Sequence, residues 1–388
     1  MARRNKSLFV VIGGLSRGGC EMHLAMILPE LVRRGYNVEI FLLGFRGPLA
    51  NELERAGVVI TNPWIESGPS KRKNIVLRLF RLALVSIQMF FRLIRTRPGI
   101  VHFFLPASYQ LGGPISLLSG RSIRIMSRRS LDHYKRGNRL LEGLEAWLHK
   151  RMDVLLGNSS AVIAELRNEA PASTRIELIY NGVSPPEVHS TSAIEIREHL
   201  KIGPDQMVIC VVANLIPYKG HKDLLNAIHL IEKQLPVNWV LLLAGRDDGH
   251  GPELKNISND FGFTKQVLFL GSHSNIPTLL QASDIFILPS HQEGFSNALL
   301  EAMAAKTAII ATHVGGNAEA VENGVSGLIV PPHNPVALGD AIVALTKNKM
   351  KRAAFAAAAT ERAQDHFTLK ACVDRYDELY TSLLEQPR

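Results

Sequence analysis

The sequence predicts an α/β protein with two doubly wound parallel-sheet domains. In both halves of the chain, short apolar segments of strand length alternate with segments of helical length. Strands separated by helices pair in parallel and carry helices on both faces of the sheet. The chain has 388 residues, 46% of them hydrophobic, which is more apolar material than one ordinary domain core holds. Two such domains therefore account for the chain.

The elements follow in order along each domain. The first domain, residues 1–185, has predicted strands at 8–12, 38–43, 58–60, 100–104, 123–126, 154–157 and 176–179. Residues 186–206 are rich in turn formers and poor in large apolar groups, which predicts a linker. The second domain, residues 207–370, has predicted strands at 208–213, 239–244, 267–270, 284–288, 308–311 and 327–330. Helices are predicted at 297–306, 352–363 and 369–384, and one interpretation of residues 371–388 is a helix that returns to the first domain.

The amino terminus and the cysteines predict a reducing, cytoplasmic location. Basic residues precede an apolar run at 7–15, as in a signal peptide, but Gly13 and Gly14 interrupt the run and no small-residue cleavage site follows. Cys20, Cys210 and Cys372 are too few and too scattered for a disulfide framework or a zinc cluster. We therefore expect small buried thiols in a protein that is not exported.

Positive charge is concentrated in the first domain. Residues 1–151 hold 25 Lys and Arg against 9 Asp and Glu, about +16, whereas the remainder holds 19 against 26, about −7. Residues 67–131 contain no acidic side chain. Such a face attracts anionic lipid, a phosphorylated substrate or nucleic acid. Without interleaved aromatic and basic residues or a known binding module, a nucleic-acid partner is the weakest of the three.

Residues 74–95 form an apolar segment with arginines near both ends. Four arginines interrupt it, so its apolar part falls short of the roughly 20 residues that span a bilayer. One interpretation is an amphipathic helix at an anionic membrane surface, with Lys71, Arg72 and Lys73 ahead of it. The alternative is a helix packed on the sheet with its arginines reaching outward.

A strand-to-helix junction at residues 289–301 carries two carboxylates. Glu293 follows the buried strand 284–288, at the edge where open α/β sheets bind ligands. Ser296 is a predicted N-cap, so the first amides of the next helix would point at the same crevice and hold a phosphate. Glu301 lies one turn further and would accept hydrogen bonds from a ribose or sugar hydroxyl. This spacing suits a sugar nucleotide.

Two other loops carry weaker signals. Glycines at 13, 14, 18 and 19 fill the turn after the first strand, which suits either a bound anion or an ordinary tight turn. Lys219 follows the first strand of the second domain and could neutralise a leaving diphosphate, although a lone lysine before a glycine is commonly a solvated helix start. The first of these loops matches neither a Rossmann nor a Walker fingerprint.

These motifs, taken in order, resemble the retaining glycosyltransferases of the two-domain GT-B fold, group 1 and family 4-like, with their E-x7-E motif. The matching set is the first glycine-rich loop, Tyr218-Lys219-Gly220, Gly245, Phe269-Leu270-Gly271, residues 293–297 with Glu301, residues 315–319 and residues 323–330. The resemblance implies two domains that face each other across a cleft. It also implies a donor site formed by Asn214, Lys219, Gly245, Glu293, Gly294, Phe295, Ser296, Asn297 and Glu301. In that site Lys219 and the amides near Phe295 hold the diphosphate, Glu301 the ribose, and Glu293 the donor sugar, with Lys219 and Glu293 catalytic.

The sequence departs from the family at two places. Asn214 stands where many relatives have an arginine, so one positive charge on the phosphate is missing or supplied elsewhere. Arg128 and Arg129 stand where many relatives have a histidine close to the reacting sugar. On the acceptor side we therefore predict roles for Gly18, Gly19, His102 and Arg129, with His133 as a further substitute that is more simply structural.

The expected activity is transfer of a sugar from a nucleotide sugar to a glycan or lipid-linked hydroxyl, on the cytoplasmic face of a membrane. No Asp-x-Asp motif and no His/Cys/Asp spacing typical of zinc or iron is present, so neither a metal nor another cofactor is expected. Two alternatives stay open: a sugar-nucleotide epimerase of the same architecture, and a catalytically impaired relative that only binds sugar nucleotides.

Overall fold

The computed structural model describes residues 5–66, 75–120, 122–131, 137–185, 192–273 and 275–386. The chain divides into two compact units, Met1–Asn181 with Leu369–Arg388, and Gly182–Thr368. Each unit contains one parallel sheet with helices on it, which confirms the predicted fold class. Within the described residues, no helix is long and apolar enough to cross a membrane.

The first unit is built on a seven-stranded parallel sheet. Its strands are β1 (Ser7–Gly14), β2 (Asn37–Phe45), β3 (Val59–Thr61), β4 (Ile100–Phe104), β5 (Ile123–Arg128), β6 (Val154–Gly157) and β7 (Ile176–Leu178). Their order across the sheet is β3-β2-β1-β4-β5-β6-β7. The strand order reverses between β1 and β4, as in other doubly wound sheets.

Helices cover both faces of this sheet. They are α1 (Gly19–Arg33), α2 (Ala50–Arg55), α3 (Ile75–Thr96), α4 (Pro106–Leu118), α5 (Arg139–His149), α6 (Ser160–Glu169) and the closing helix α15 (Leu369–Glu385). One core layer joins α1, α2 and α15 to the sheet, and the other joins α3, α4, α5 and α6. Alternate side chains of each strand enter opposite layers, which explains the nearly continuous apolar runs of the strands.

Helix α15 is fixed to the first unit by apolar and polar contacts. Its apolar face enters the same core layer as α1. Arg34, just after α1, donates to Asp374 at 2.5 Å and to Asp377 at 3.2 Å. The end of the chain therefore forms part of the amino-terminal unit.

The second unit has a six-stranded parallel sheet in the order β10-β9-β8-β11-β12-β13. The strands are β8 (Met207–Val212), β9 (Trp239–Ala244), β10 (Val267–Gly271), β11 (Ile285–Leu288), β12 (Ala308–Thr312) and β13 (Leu328–Val330). The helices are α7 (Ala193–His199), α8 (His221–Ile231), α9 (Gly251–Asp260), α10 (Ile276–Gln281), α11 (Asn297–Ala304), α12 (Asn317–Ala320), α13 (Pro335–Thr346) and α14 (Lys349–His366). Each strand predicted from the sequence is present, with ends that differ by at most two residues.

Helix α7 lies within the segment that the sequence predicts as a linker. Ser192 accepts a hydrogen bond from the Glu195 amide while the Glu195 side chain accepts one from the Ser192 amide, a capping box that starts the helix. Arg197 then pairs with Asp284 of the second unit at 3.1 Å. The polar side chains of this stretch cap a short helix and attach it to the second unit. The stretch is therefore regular although it contains few apolar residues.

Candidate functional site

The loops that carry Lys219 and Glu293 leave neighbouring strands of the second sheet. Strands β8 and β11 pair in parallel, with Ile209 opposite Ile285 and Cys210 opposite Phe286. Strand β9, which follows β8 in the chain, lies on the other side of β8. The strand order therefore reverses between β8 and β11, and such a switch point leaves a crevice at the carboxyl ends of the strands. Loops 213–220 and 289–296 both begin there.

Lys219 and Glu293 form an ion pair at this switch point. The Lys219 Nζ donates to Glu293 Oε1 at 2.6 Å, and the Ser290 hydroxyl donates to the same oxygen at 2.8 Å. The side chains are only 19% and 10% exposed, so solvent and salt screen this pair less than a surface pair. The two residues predicted to be catalytic thus contact each other, although 74 positions separate them.

Two glycines allow three loops to approach one another. Gly220 has φ of +72°, and a Cβ there would lie 1.9 Å from the Pro289 carbonyl oxygen. Gly315 has φ of +50°, and a Cβ there would lie 2.0 Å from the Glu293 carbonyl oxygen. Neither the left-handed backbone nor the close approach admits a side chain. The loops after β8 and β12 therefore touch the backbone of the loop that carries Glu293.

The first turn of α11 faces this loop. Ser296 is the N-cap, and its Oγ accepts a hydrogen bond from the Leu299 amide at 3.3 Å, which confirms the predicted cap. Phe295 is buried and packs against Phe367, so its backbone rather than its ring borders the crevice. Gly294 accepts a hydrogen bond from the Gly316 amide at 2.7 Å. A helix that begins in this way presents backbone N–H groups and a positive dipole end to an anion.

Glu301 lies in the second turn of α11. Burial raises the pKa of its carboxyl from 4.5 to about 7, although the residue as a whole is partly exposed. With a pKa near 7, the carboxyl is partly protonated at neutral pH. A ligand that changes its surroundings would therefore change the fraction that is ionised.

Asn214 organises the neighbouring loop after β9. Its Oδ1 accepts a hydrogen bond from the Arg246 amide at 3.2 Å, and its Nδ2 donates to Asp248 at 3.3 Å. Arg246 itself forms a two-pronged pair with Asp248 at 2.6 and 2.9 Å. Gly245, before the arginine, would place a Cβ 2.0 Å from the Ala213 carbonyl oxygen. The Arg246 guanidinium therefore lies near Asn214, the position where relatives carry an arginine, because both side chains contact Asp248. In the sequence, Arg246 appears only as an arginine after Gly245, the glycine that follows β9.

In the first unit, the glycine-rich loop leads into α1. Gly18 is the N-cap residue of the helix and Gly19 its first residue, and a Cβ at Gly18 would meet the carboxylate of Glu21 at 2.4 Å. Arg129, just past β5, is partly exposed and donates to the Asn181 side chain at 2.5 Å. The acceptor-side roles assigned to these three residues stay predictions.

His102 does not have the position that the sequence predicted. Its imidazole is wholly buried, with Nδ1 2.7 Å from the Tyr380 hydroxyl and Nε2 2.7 Å from Ser127 Oγ. Burial and the charge of Arg129 hold its pKa well below the usual value, so it is neutral. A group enclosed in this way cannot contact an acceptor, and its hydrogen bond to α15 gives it a structural role. His133 lies outside the described residues.

The two adjacent arginines at the end of β5 have different environments. Arg128 is buried and pairs with Glu145 at 3.0 Å and with Glu169 at 2.7 Å. Only Arg129 remains partly exposed. Arg128 is the last residue of β5 and its side chain reaches carboxylates of α5 and α6, whereas Arg129 follows in the loop after the strand.

Comparison with known families identifies the chain. Residues 17–186 match the model described as "Glycosyltransferase Family 4", and residues 192–362 match "Glycosyl transferases group 1". This chain is a group 1 glycosyltransferase. The resemblance inferred from the loop motifs is therefore confirmed at the level of the family.

Individual relatives of this glycosyltransferase are distant. It is 26% identical over 391 residues to the D-inositol 3-phosphate glycosyltransferase of Corynebacterium efficiens, covering 94% of this chain and 90% of the relative. It is 27% identical over 248 residues to the lipopolysaccharide core biosynthesis mannosyltransferase LpsB of Rhizobium meliloti, covering 62% and 69%. A solved structure of HepE from Anabaena in complex with UDP-glucose superposes with a TM-score of 0.83 at 20% identity, covering 97% and 99%. The last comparison shows a shared GT-B fold.

Proposed function

We propose that this glycosyltransferase transfers a sugar, with retention of anomeric configuration, from a nucleoside diphosphate sugar to a hydroxyl of a lipid-linked or surface-glycan acceptor. The observation that carries the proposal is the contact between Lys219 and Glu293 beside the first turn of α11. At this switch point, a cation and a row of backbone amides match the diphosphate of such a donor, and a carboxylate matches its sugar hydroxyls.

The diphosphate is the leaving group of the reaction, and its negative charge grows as the bond to the sugar breaks. The α11 amides are fixed before the donor binds, and Lys219 moves from Glu293 to the diphosphate on binding, so both are in place before the bond to the sugar breaks. Arg246 lies next to Asn214, but its guanidinium pairs with Asp248 in the free protein, so it must leave that carboxylate to supply the charge that Asn214 lacks. Glu293 holds the donor sugar and Glu301 the ribose. The departing phosphate takes the proton of the acceptor hydroxyl, so neither a second carboxylate nor a metal ion is required at the reacting atoms.

The test of the donor side is a calorimetric screen of UDP, GDP and ADP and of their sugar conjugates. UDP and UDP-glucose come first, because HepE binds UDP-glucose. A transferase releases the nucleoside diphosphate and gives a product whose anomeric coupling in NMR matches that of the donor. An inverted product refutes retention. A free epimer of the donor sugar indicates the epimerase, and nucleotide binding without turnover on any acceptor indicates an impaired relative.

Helix α3 supports a membrane-associated acceptor. Its second half buries Val85, Met89 and Leu93, but its first turns expose large apolar side chains, among them Leu79 at 61% and Phe80 at 55%. Arg78 on the same turns is also exposed. Apolar and basic side chains presented together suit the interface of an anionic membrane. The basic run at 71–73 lies outside the described residues. We propose that this surface holds the enzyme on the inner face of the membrane.

The membrane proposal is tested by sedimentation with vesicles. Wild type is expected to sediment with vesicles that contain a third phosphatidylglycerol, and much less with neutral vesicles. The double variant Leu79→Asp/Phe80→Asp should stay in the supernatant, whereas Met350→Asp, at an exposed apolar residue of α14, should behave as wild type. Equal sedimentation of both variants would refute a role for α3. LpsB acts in lipopolysaccharide core biosynthesis, which makes a glycolipid the first acceptor class to test.

A further inference from the structure

A carboxylate and two histidines converge at the carboxyl edge of the second sheet. Asp223 lies in the first turn of α8, His291 in the loop after β11, and His333 in the loop between β13 and α13. The three residues are far apart in the chain, so no short sequence motif predicts that they form a cluster. One ligand atom of each lies within 4.8 Å of those of the other two.

The contacts within this cluster are close. His291 Nε2 lies 2.8 Å from Asp223 Oδ2, and His333 Nδ1 lies 4.0 Å from the same oxygen. The two imidazole rings are packed together with centroids 3.7 Å apart. His291 and Asp223 are only about one-fifth exposed, whereas His333 is largely exposed. The cluster is therefore accessible from one side and enclosed on the other.

These distances fit a transition metal after small movements. Zinc bonds of about 2.0–2.2 Å to nitrogen and oxygen in a tetrahedron place the ligand atoms roughly 3.3 Å apart. The His291–Asp223 distance would lengthen by about 0.5 Å and the His333–Asp223 distance would shorten by about 0.7 Å. Two imidazoles and one carboxylate suit zinc and similar metals and leave one position for water.

The backbone at His333 is strained. Its φ is +57°, in the left-handed region that side chains other than glycine rarely adopt. Asn334, which follows, caps α13 through a hydrogen bond to the Ala337 amide. The cap explains why the chain turns here but does not require a histidine.

We propose that Asp223, His291 and His333 form a binding site for a divalent transition metal of the zinc class. The site is separate from the reacting atoms but coupled to the donor loops. His291 donates its amide proton to the Tyr218 carbonyl at 2.7 Å, and it lies two positions before Glu293. A bound metal would therefore fix the loop after β11 against α8, whose start is directly preceded by Lys219 and Gly220. Its effect is on the stiffness of the donor site, and glycosyl transfer does not pass through it.

The cysteines do not compete for the metal. Cys20, Cys210 and Cys372 are all buried. Burial raises the pKa of the Cys20 and Cys210 thiols to about 12, so they stay protonated. A metal titration thus reports mainly on histidines and carboxylates.

The test is zinc binding to the full chain without nucleotide, followed by competition with a chromogenic chelator. Wild type should bind one zinc ion per chain at micromolar or tighter affinity, with a rise in the unfolding midpoint. His333→Asn keeps a residue that tolerates the left-handed backbone but loses the imidazole, and Asp223→Asn keeps the shape but loses the charge. Each variant should weaken binding by about tenfold or more. His199→Ala removes an exposed histidine of α7 and should change nothing.

Cobalt(II) gives an independent readout. In wild type its visible absorption should show the intense bands of a four-coordinate site, and these should disappear in His333→Asn. The proposal is overturned if wild type binds no zinc at tens of micromolar, or if both variants bind as wild type does. Because no nucleotide is present, this failure would leave the proposed transfer activity untouched, and UDP binding in the presence of EDTA tests the donor site separately.

Discussion

Replacing Lys219 with methionine tests the donor site most directly. Methionine keeps the length of the side chain and removes the charge that would contact the diphosphate. A hydrogen bond to a charged group contributes about 1.5–3 kcal/mol net. At 1.4 kcal/mol for each factor of ten, the Kd for the nucleoside diphosphate should rise by roughly 10- to 150-fold. Isothermal titration calorimetry at moderate salt measures this change.

The ion pair with Glu293 adds a second expectation. In the free protein Lys219 Nζ is 2.6 Å from the Glu293 carboxylate, so the diphosphate must draw the lysine away from that partner. Glu293→Gln weakens the competing contact, and we expect the nucleotide alone to bind as tightly as in wild type or several-fold more tightly. Sugar transfer should nevertheless fall, because the donor sugar loses its carboxylate.

A lysine close by provides the control. Lys222, in the first turn of α8, pairs with Glu253 at 3.1 Å, and both side chains are more than half exposed. A surface pair of this kind contributes little, so Lys222→Met should change nucleotide affinity by less than about twofold. Equal losses in the two methionine variants would show that the effect is one of net charge. Unchanged affinity in Lys219→Met would refute the assignment of the lysine to the diphosphate.

Three further predictions concern stability. Burial raises the pKa of Glu301 from 4.5 to about 7, so protonation of this carboxyl stabilises the folded protein at low pH and the stabilisation is lost as pH rises through 7. Glu301→Gln should therefore raise the unfolding midpoint more at pH 8 than at pH 5 in fluorimetric scans. A difference that does not depend on pH would contradict this. Arg128→Met removes the cation that pairs with the buried Glu145 and the partly buried Glu169, and it should lower the free energy of unfolding by about 3–5 kcal/mol in urea denaturation. The exposed Arg139→Met should change it little. Gly220→Ala should lower both the free energy of unfolding and the nucleotide affinity, because a Cβ there meets the Pro289 carbonyl. Gly249 also has positive φ but lies in open space, so Gly249→Ala should lower the free energy of unfolding only by the backbone cost of about 1–2 kcal/mol. Equal effects of the two variants would refute the close contact between the loops.

Much of the fold was predictable because the strands are buried on both faces. All four residues of Ile285–Leu288 are buried, so the strand appears in the sequence as a continuous apolar run between turn residues. The ends were less certain, since hydrogen bonds to neighbouring strands extend β1 through Gly13 and Gly14, which composition alone assigns to a turn. Composition alone also failed to predict α7, because its capping box is polar and lies in a stretch whose composition is typical of a linker.

The residues that we assign to the donor site could be named from the sequence, but their contacts with one another could not. Ser296 could be identified as a cap because an N-cap depends on local backbone and one side chain. The order of strands across the sheet decides which loops are neighbours, and no local pattern encodes that order. The pairing of Lys219 with Glu293 therefore appears only once β8 and β11 lie side by side.

The sequence by itself determined the fold class, the strands and the turn residues at the carboxyl ends of the strands, because burial periodicity and turn chemistry act over a few residues. The tertiary structure decided which of these residues meet. It buried His102 beneath α15, separated Arg128 from Arg129, placed Arg246 beside Asn214, and brought Asp223 together with two histidines. Each of these outcomes depends on packing between segments distant in the chain, where the free energy comes from burial and from the pairing of polar groups rather than from local propensity.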